Sequence, residues 1–123
     1  RDAIRLWDID PGEATAVVYG AELAAVRRLA DEAGQARIEP WPGVTVSDPR
    51  FHGQLVSCSG ASLAHALIVA LGEVVTPRCT DSRAHVRALR AIRRGDTHAA
   101  VELWRSHQAD AANSAGHAVA TGA

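Results

Sequence analysis

Methionine is missing from this 123-residue chain altogether, and cysteine is held to two residues, Cys58 and Cys79. The first absence, together with Arg1 as the opening residue, leads to the expectation that the chain is a piece of a longer product. The second excludes a disulfide framework. Two thiols with no Cys-x-x-Cys spacing in an otherwise ordinary domain read as reduced side chains of a cytoplasmic protein. No run approaches the roughly 18 apolar residues of a membrane span, and no charged-then-apolar leader precedes the first helical segment. A surplus of one charge is lacking too. Thirteen Lys and Arg against fourteen Asp and Glu leave a net charge of −1, too little to hold a phosphate backbone, so the chain alone is a poor nucleic-acid binder. Catalytic signatures are equally scarce. There is no Gly-rich phosphate loop, no Gly-x-Ser-x-Gly elbow, no His-Glu-x-x-His and no adjacent His-Asp pair. Ser57-Cys58-Ser59-Gly60 reads as a helix-breaking turn, because no base neighbours it in sequence. The expectation is a protein that is not an enzyme.

What is present suits a helical core. Hydrophobic residues are 47% and charged ones 22% of the chain, enough for one domain over residues 1–123 without covalent staples. Strand signals are scarce outside the neighbourhood of Pro40, Pro42 and Pro49, and Ala, Leu, Arg and Glu dominate, so the predicted fold is an all-α bundle of about six helices. A first helical stretch runs from about Pro11 to Tyr19, with Gly20 able to end it, and a second covers Ala21 to Ala33 with Leu23, Val26, Leu29 and Ala30 on one face. Gln35 to Ser47 reads as a loop. A third helix is predicted from Asp48 to about Ser57 and an apolar fourth from Ser62 toward Val75, ending before Pro77. A fifth opens at Asp81 or Ser82, buries His85, Ala88, Leu89 and Ile92, and stops at Gly95. The sixth starts at Asp96 or Thr97, carries Ala100, Leu103, Trp104, His107 and Ala111 inward, and ends at Asn113 or Gly116.

Four side chains share a spacing that predicts convergence. Asp48 and His52 lie at i and i+4 of one helix and therefore on one face. His85 and His107 flank the Gly95-Asp96 turn at nearly equal distance, about 15 and 18 Å at 1.5 Å per residue, so they face one another across a hairpin. Each also replaces an apolar residue of an inward stripe. His98 falls on the opposite face of the sixth helix, and His65 and His117 are weaker candidates. The plainer alternatives are core imidazoles bonded to carbonyls for His85 and His107, a surface site for His52, and an N-cap for Asp48. Convergence would supply one carboxylate oxygen and three imidazole nitrogens. That set suits a divalent transition metal (Zn²⁺, Ni²⁺, Mn²⁺ or Fe²⁺, with Zn²⁺ or Ni²⁺ favoured) and does not suit Ca²⁺ or Mg²⁺. An octahedral ion so held keeps positions for the carboxylate of a small molecule, for whose second anionic group Arg5 is the candidate partner. A metal-dependent hydrolase and a metal-free interaction module are the alternatives.

Two segments carry a family resemblance: His85-Val-Arg-Ala-Leu-Arg-Ala-Ile-Arg-Arg-Gly-Asp96 followed by His107, and Asp48-Pro-Arg-Phe-His52 followed by Ser59-Gly60. In these, about half of the chain, the sequence resembles the FCD effector domain, the ligand-sensing half of FadR-subfamily GntR transcription regulators. The resemblance implies an antiparallel helical bundle that holds a divalent metal through Asp48, His52, His85 and His107. It further implies that a small carboxylate effector binds near the metal and modulates DNA binding by an attached winged helix-turn-helix domain, here absent, within a homodimer. Ala61 stands where the family often has Asn, and the stretch between His52 and His85 is shorter than the family's.

Overall fold

In a computed structural model, residues 10–34, 51–60 and 81–120 are described, with isolated helical positions at 66 and 71; of the side chains, those of residues 11 and 114–120 are not. These residues form four helices and no strand: α1 Pro11–Gly34, α2 Phe51–Cys58, α3 Ser82–Arg93 and α4 Thr97–Ala120. The expectation of a six-helix, FCD-like bundle is therefore corrected to four helices among the described residues. One reason is physical. The two helices expected on either side of Gly20 are a single helix of 24 residues, because Gly20 keeps a helical backbone and its Cα faces open space. A glycine inside a helix costs about 1 kcal/mol relative to alanine, and the buried stripe on both sides of it outweighs that. The expected fourth helix, Ser62 to Val75, falls largely outside the described residues, as do the Gln35 to Ser47 loop, Cys79 and Arg5.

Each helix boundary has a local cause. Asp10 opens α1, its side chain accepting from the Glu13 amide at 2.9 Å, with Pro11 at the first helical position where a missing N–H costs nothing. Asp81 caps α3 by accepting from the Ala84 amide at 3.2 Å, and Asp96 does the same for α4 through the Ala99 amide at 3.2 Å. Helix α3 stops in a Schellman turn: Asp96 N–H reaches Ala91 O at 3.0 Å and Gly95 N–H reaches Ile92 O at 2.9 Å. Gly95 sits at φ +71°, a left-handed conformation that residues with a Cβ adopt at a cost. Helix α4 continues to Ala120, past the predicted stop at Asn113 or Gly116, so a glycine at 116 does not end it.

Helix α1 packs against all three others, and α3 packs against α4. Cross-links between α1 and α4 give their direction. Thr97 donates to Asp31 at 2.6 Å, Trp104 to Glu22 at 3.2 Å and Gln108 to the Tyr19 carbonyl at 3.0 Å. Numbers rise along α4 as they fall along α1, so the two are antiparallel, and the three-residue turn at Arg94–Asp96 makes α3 antiparallel to α4 as well. The core comprises Val18, Val26 and Leu29 of α1, Phe51, Leu55 and Val56 of α2, Ile92 of α3 and Trp104 of α4, with smaller residues between them. The arginines of α3, Arg83, Arg87, Arg90 and Arg93, are exposed on its outer face. None of the helices among the described residues is long and apolar enough to cross a membrane.

Candidate metal centre

Three histidines meet inside this core. His52 comes from the first turn of α2, His85 from the first turn of α3 and His107 from the middle of α4, and all are buried, at 6%, 0% and 5% exposure. His52 Nε2 lies 3.2 Å from His85 Nε2 and 3.2 Å from His107 Nε2. The His85 and His107 rings are 4.9 Å apart between centroids and cross at 87°, as expected for two residues placed level across the α3–α4 hairpin. Their ligand atoms all fall within 4.8 Å of one another, a grouping able to hold a metal ion.

Packing fixes each ring. Phe51 stacks on His85 with centroids 4.3 Å apart and planes 15° from parallel. Trp104, fully buried on α4, closes the remaining side, its centroid 4.8 Å from His52, 5.8 Å from His85 and 5.1 Å from His107. Two aromatic walls thus restrict the imidazoles to narrow orientations and exclude water from their flanks. Adjacent positions of α2 supply Phe51 and His52, so a single short helix delivers both a wall and a nitrogen.

Carboxylates stand behind two of the rings. Glu22 of α1, 1% exposed, faces His52 Nδ1 through Oε2 at 2.8 Å. Asp81, the α3 cap, places Oδ2 3.8 Å from His107 Nδ1, beyond hydrogen-bond length and close enough only for an ion pair when that imidazole is protonated. Carboxylates that hold the far nitrogen of an imidazole orient the near one, the arrangement usual around metal-binding histidines.

Of the residues expected at the site, His52, His85 and His107 are brought together, whereas Asp48 and Arg5 lie outside the described residues. His98 is exposed, on the face opposite His107 as its spacing requires. His65 and the His117 side chain lie outside the described residues. Glu22 was not foreseen, although a signal existed. It occupies the inward stripe Ala14, Val18, Glu22, Ala25, Leu29, and a carboxylate on an apolar helical stripe calls for a buried partner.

The fold and the site together define a small all-α domain whose three-histidine cluster can coordinate a metal ion. No protein-family model, curated protein or solved structure matches the chain.

Proposed function

We propose that this chain is a metal-containing ligand-sensing domain of a GntR/FadR-type transcription regulator, in which a small organic carboxylate binds at a divalent metal held by His52, His85 and His107, with Asp48 as the fourth ligand. The spacing of His52 Nε2 from the other two Nε2 atoms supports the reading. Two nitrogens at 2.0–2.1 Å from one ion lie about 3.3 Å apart at the tetrahedral angle and roughly 2.9 Å apart at the octahedral right angle, and the observed 3.2 Å from His52 to each partner falls between these values. Three buried imidazoles converging through Nε2 form a borderline donor set suited to Zn²⁺ or Ni²⁺. Three nitrogens and one oxygen leave an octahedral ion two positions for an anion. The effector acts by binding one arrangement of a homodimer more tightly than the other, which shifts DNA binding by the attached winged-helix domain.

Sensing is favoured over hydrolysis by the disposition of Glu22. Metal-assisted hydrolysis needs a base beside the attacking water, and the carboxylate buried at this centre sits behind the His52 ring, accepting from Trp104 and Gln108 with one oxygen while the other faces His52. Elemental analysis before and after chelation, followed by thermal shift against a panel of small carboxylates, tests the proposal. Stoichiometric transition metal, with carboxylate stabilisation that depends on it, supports sensing. Product formation without saturable stabilisation supports a hydrolase. Retention of full stability with no metal taken up from solution leaves a hydrogen-bonded histidine cluster in a metal-free interaction module and overturns the proposal.

A further inference from the structure

Glu22 sits at an inward position of α1 whose companions are alanine, valine and leucine, and an apolar side chain there would avoid the desolvation of a buried carboxylate altogether. Its hydrogen bonds divide between two tasks. Oε1 accepts from Trp104 Nε1 at 3.2 Å and from Gln108 Nε2 at 3.0 Å, both on α4. Oε2 faces His52 Nδ1 at 2.8 Å. An indole N–H donates only, and Gln108 is held in its orientation because the same Nε2 also donates to the Tyr19 carbonyl at 3.0 Å. The α4 side of Glu22 is therefore a fixed pair of donors.

Building on the metal reading above, the geometry points to Glu22 as a positioning residue that selects the tautomer of His52. A carboxylate only accepts, so His52 must carry its proton on Nδ1, and its Nε2 lone pair is directed at the space shared with His85 and His107. With the opposite tautomer a proton would occupy that space and close it to a cation. Through Trp104 and Gln108, on either side of His107 in sequence, the same carboxylate also sets how α4 is rotated about its axis. One side chain on α1 thus prepares one ligand electronically and places the helix that carries another.

The test is a tautomer measurement on the metal-free protein, by long-range ¹H–¹⁵N correlation spectra of ¹⁵N-histidine-labelled samples, combined with Zn²⁺ affinity from chelator competition. In the wild-type protein His52 is expected with its proton on Nδ1. Glu22→Gln offers one acceptor oxygen and one NH₂ group. Two fixed donors on α4 claim the oxygen, so the NH₂ faces His52 Nδ1 and drives the proton to Nε2. Zn²⁺ affinity then falls about 10- to 100-fold with helix content retained. Trp104→Phe removes one donor to Glu22 Oε1 and changes the ring packed on His52 but leaves a carboxylate opposite His52 Nδ1, and its His52 tautomer is expected to match wild type. A wild-type His52 protonated on Nε2 overturns the inference even if Glu22→Gln fails to fold. So does a folded Glu22→Gln protein with wild-type tautomer and wild-type Zn²⁺ affinity. A wild-type protein that holds the Nδ1–H tautomer but takes up no Zn²⁺, Ni²⁺ or Co²⁺ overturns the metal reading while supporting the tautomer assignment, so the two failures are distinguishable.

Discussion

Gly95 and Gly34 touch backbone to backbone: a Cβ built on Gly95 would stand 2.3 Å from Gly34 Cα and 2.6 Å from its nitrogen. The contact seats the α3–α4 turn on the end of α1, beside the Thr97–Asp31 hydrogen bond of 2.6 Å. It thereby fixes the height of the hairpin relative to α1, and with it the level at which His85 and His107 meet the Glu22–His52 pair.

Gly95→Ala is expected to be the costlier of the two glycine substitutions. It combines a left-handed backbone at φ +71° with a backbone clash, so a loss of about 3 kcal/mol is expected in chemical denaturation. Gly34→Ala places its Cβ 3.3 Å from Gly95 O, which a small shift relieves, and should cost under about 1 kcal/mol. Equal midpoints for the two variants would contradict this account of the turn.

Single alanine substitutions at His85 and His107 should each lower transition-metal affinity by about 100-fold or more, since a ligand contributes at least as much as the groups that orient it. His98→Ala, on the exposed face of α4, should leave metal content unchanged. Isothermal titration of all three variants with Zn²⁺ decides the matter, and undiminished binding after loss of either buried histidine removes the proposed centre.

Trp104 lies within about 5 Å of two of the three imidazoles, with centroids 4.8 Å from His52 and 5.1 Å from His107. Its emission should therefore be strongly quenched by stoichiometric Ni²⁺ or Cu²⁺ and restored by a chelator. A Trp104→Phe protein titrated in the same way should lose this component of the quenching. Quenching of equal depth in both proteins would place the ion elsewhere.

Metal removal should lower thermal stability by linkage. At a free Zn²⁺ concentration 100 times the dissociation constant, binding contributes about 2.7 kcal/mol, equivalent to an upward shift in Tm of several degrees for a domain of this size. Differential scanning calorimetry with and without chelator measures the shift. An unchanged Tm would mean that the ion does not prefer the folded chain.

Cys58, at the last position of α2, is exposed, yet burial by its surroundings raises its thiol above the ordinary value. Desolvation disfavours the thiolate, so the fraction able to react at pH 7.5 is smaller than in an unhindered peptide. Alkylation by iodoacetamide should consequently be slow near neutrality and rise more steeply above pH 9 than for a reference thiol. A rate profile matching that of free cysteine would contradict the shift.

Much of this arrangement is legible along the chain because it depends on local rules. Asp81 and Asp96 as caps, Gly95 as a stop, and the inward stripe His85, Ala88, Leu89, Ile92 follow from periodicity and backbone conformation alone. The meeting of His85 with His107 is also readable, since a short turn ties their heights together. Helix count is less so. Gly20 looks like a terminator, but whether a glycine ends a helix depends on what the flanking turns bury, and here Val18, Glu22, Ala25 and Val26 carry the helix through it.

Composition and spacing by themselves determined a helical chain, a hairpin that brings two histidines level, and a third histidine on a helix of its own. Only tertiary packing decided that His52 would point into that hairpin and that Glu22, thirty residues earlier, would stand behind it. Side-chain convergence between separate helices depends on their mutual rotation and height, which the Gly34–Gly95 contact, the Phe51–His85 stack and the bonds of Glu22 to α4 set together, and no local pattern encodes those.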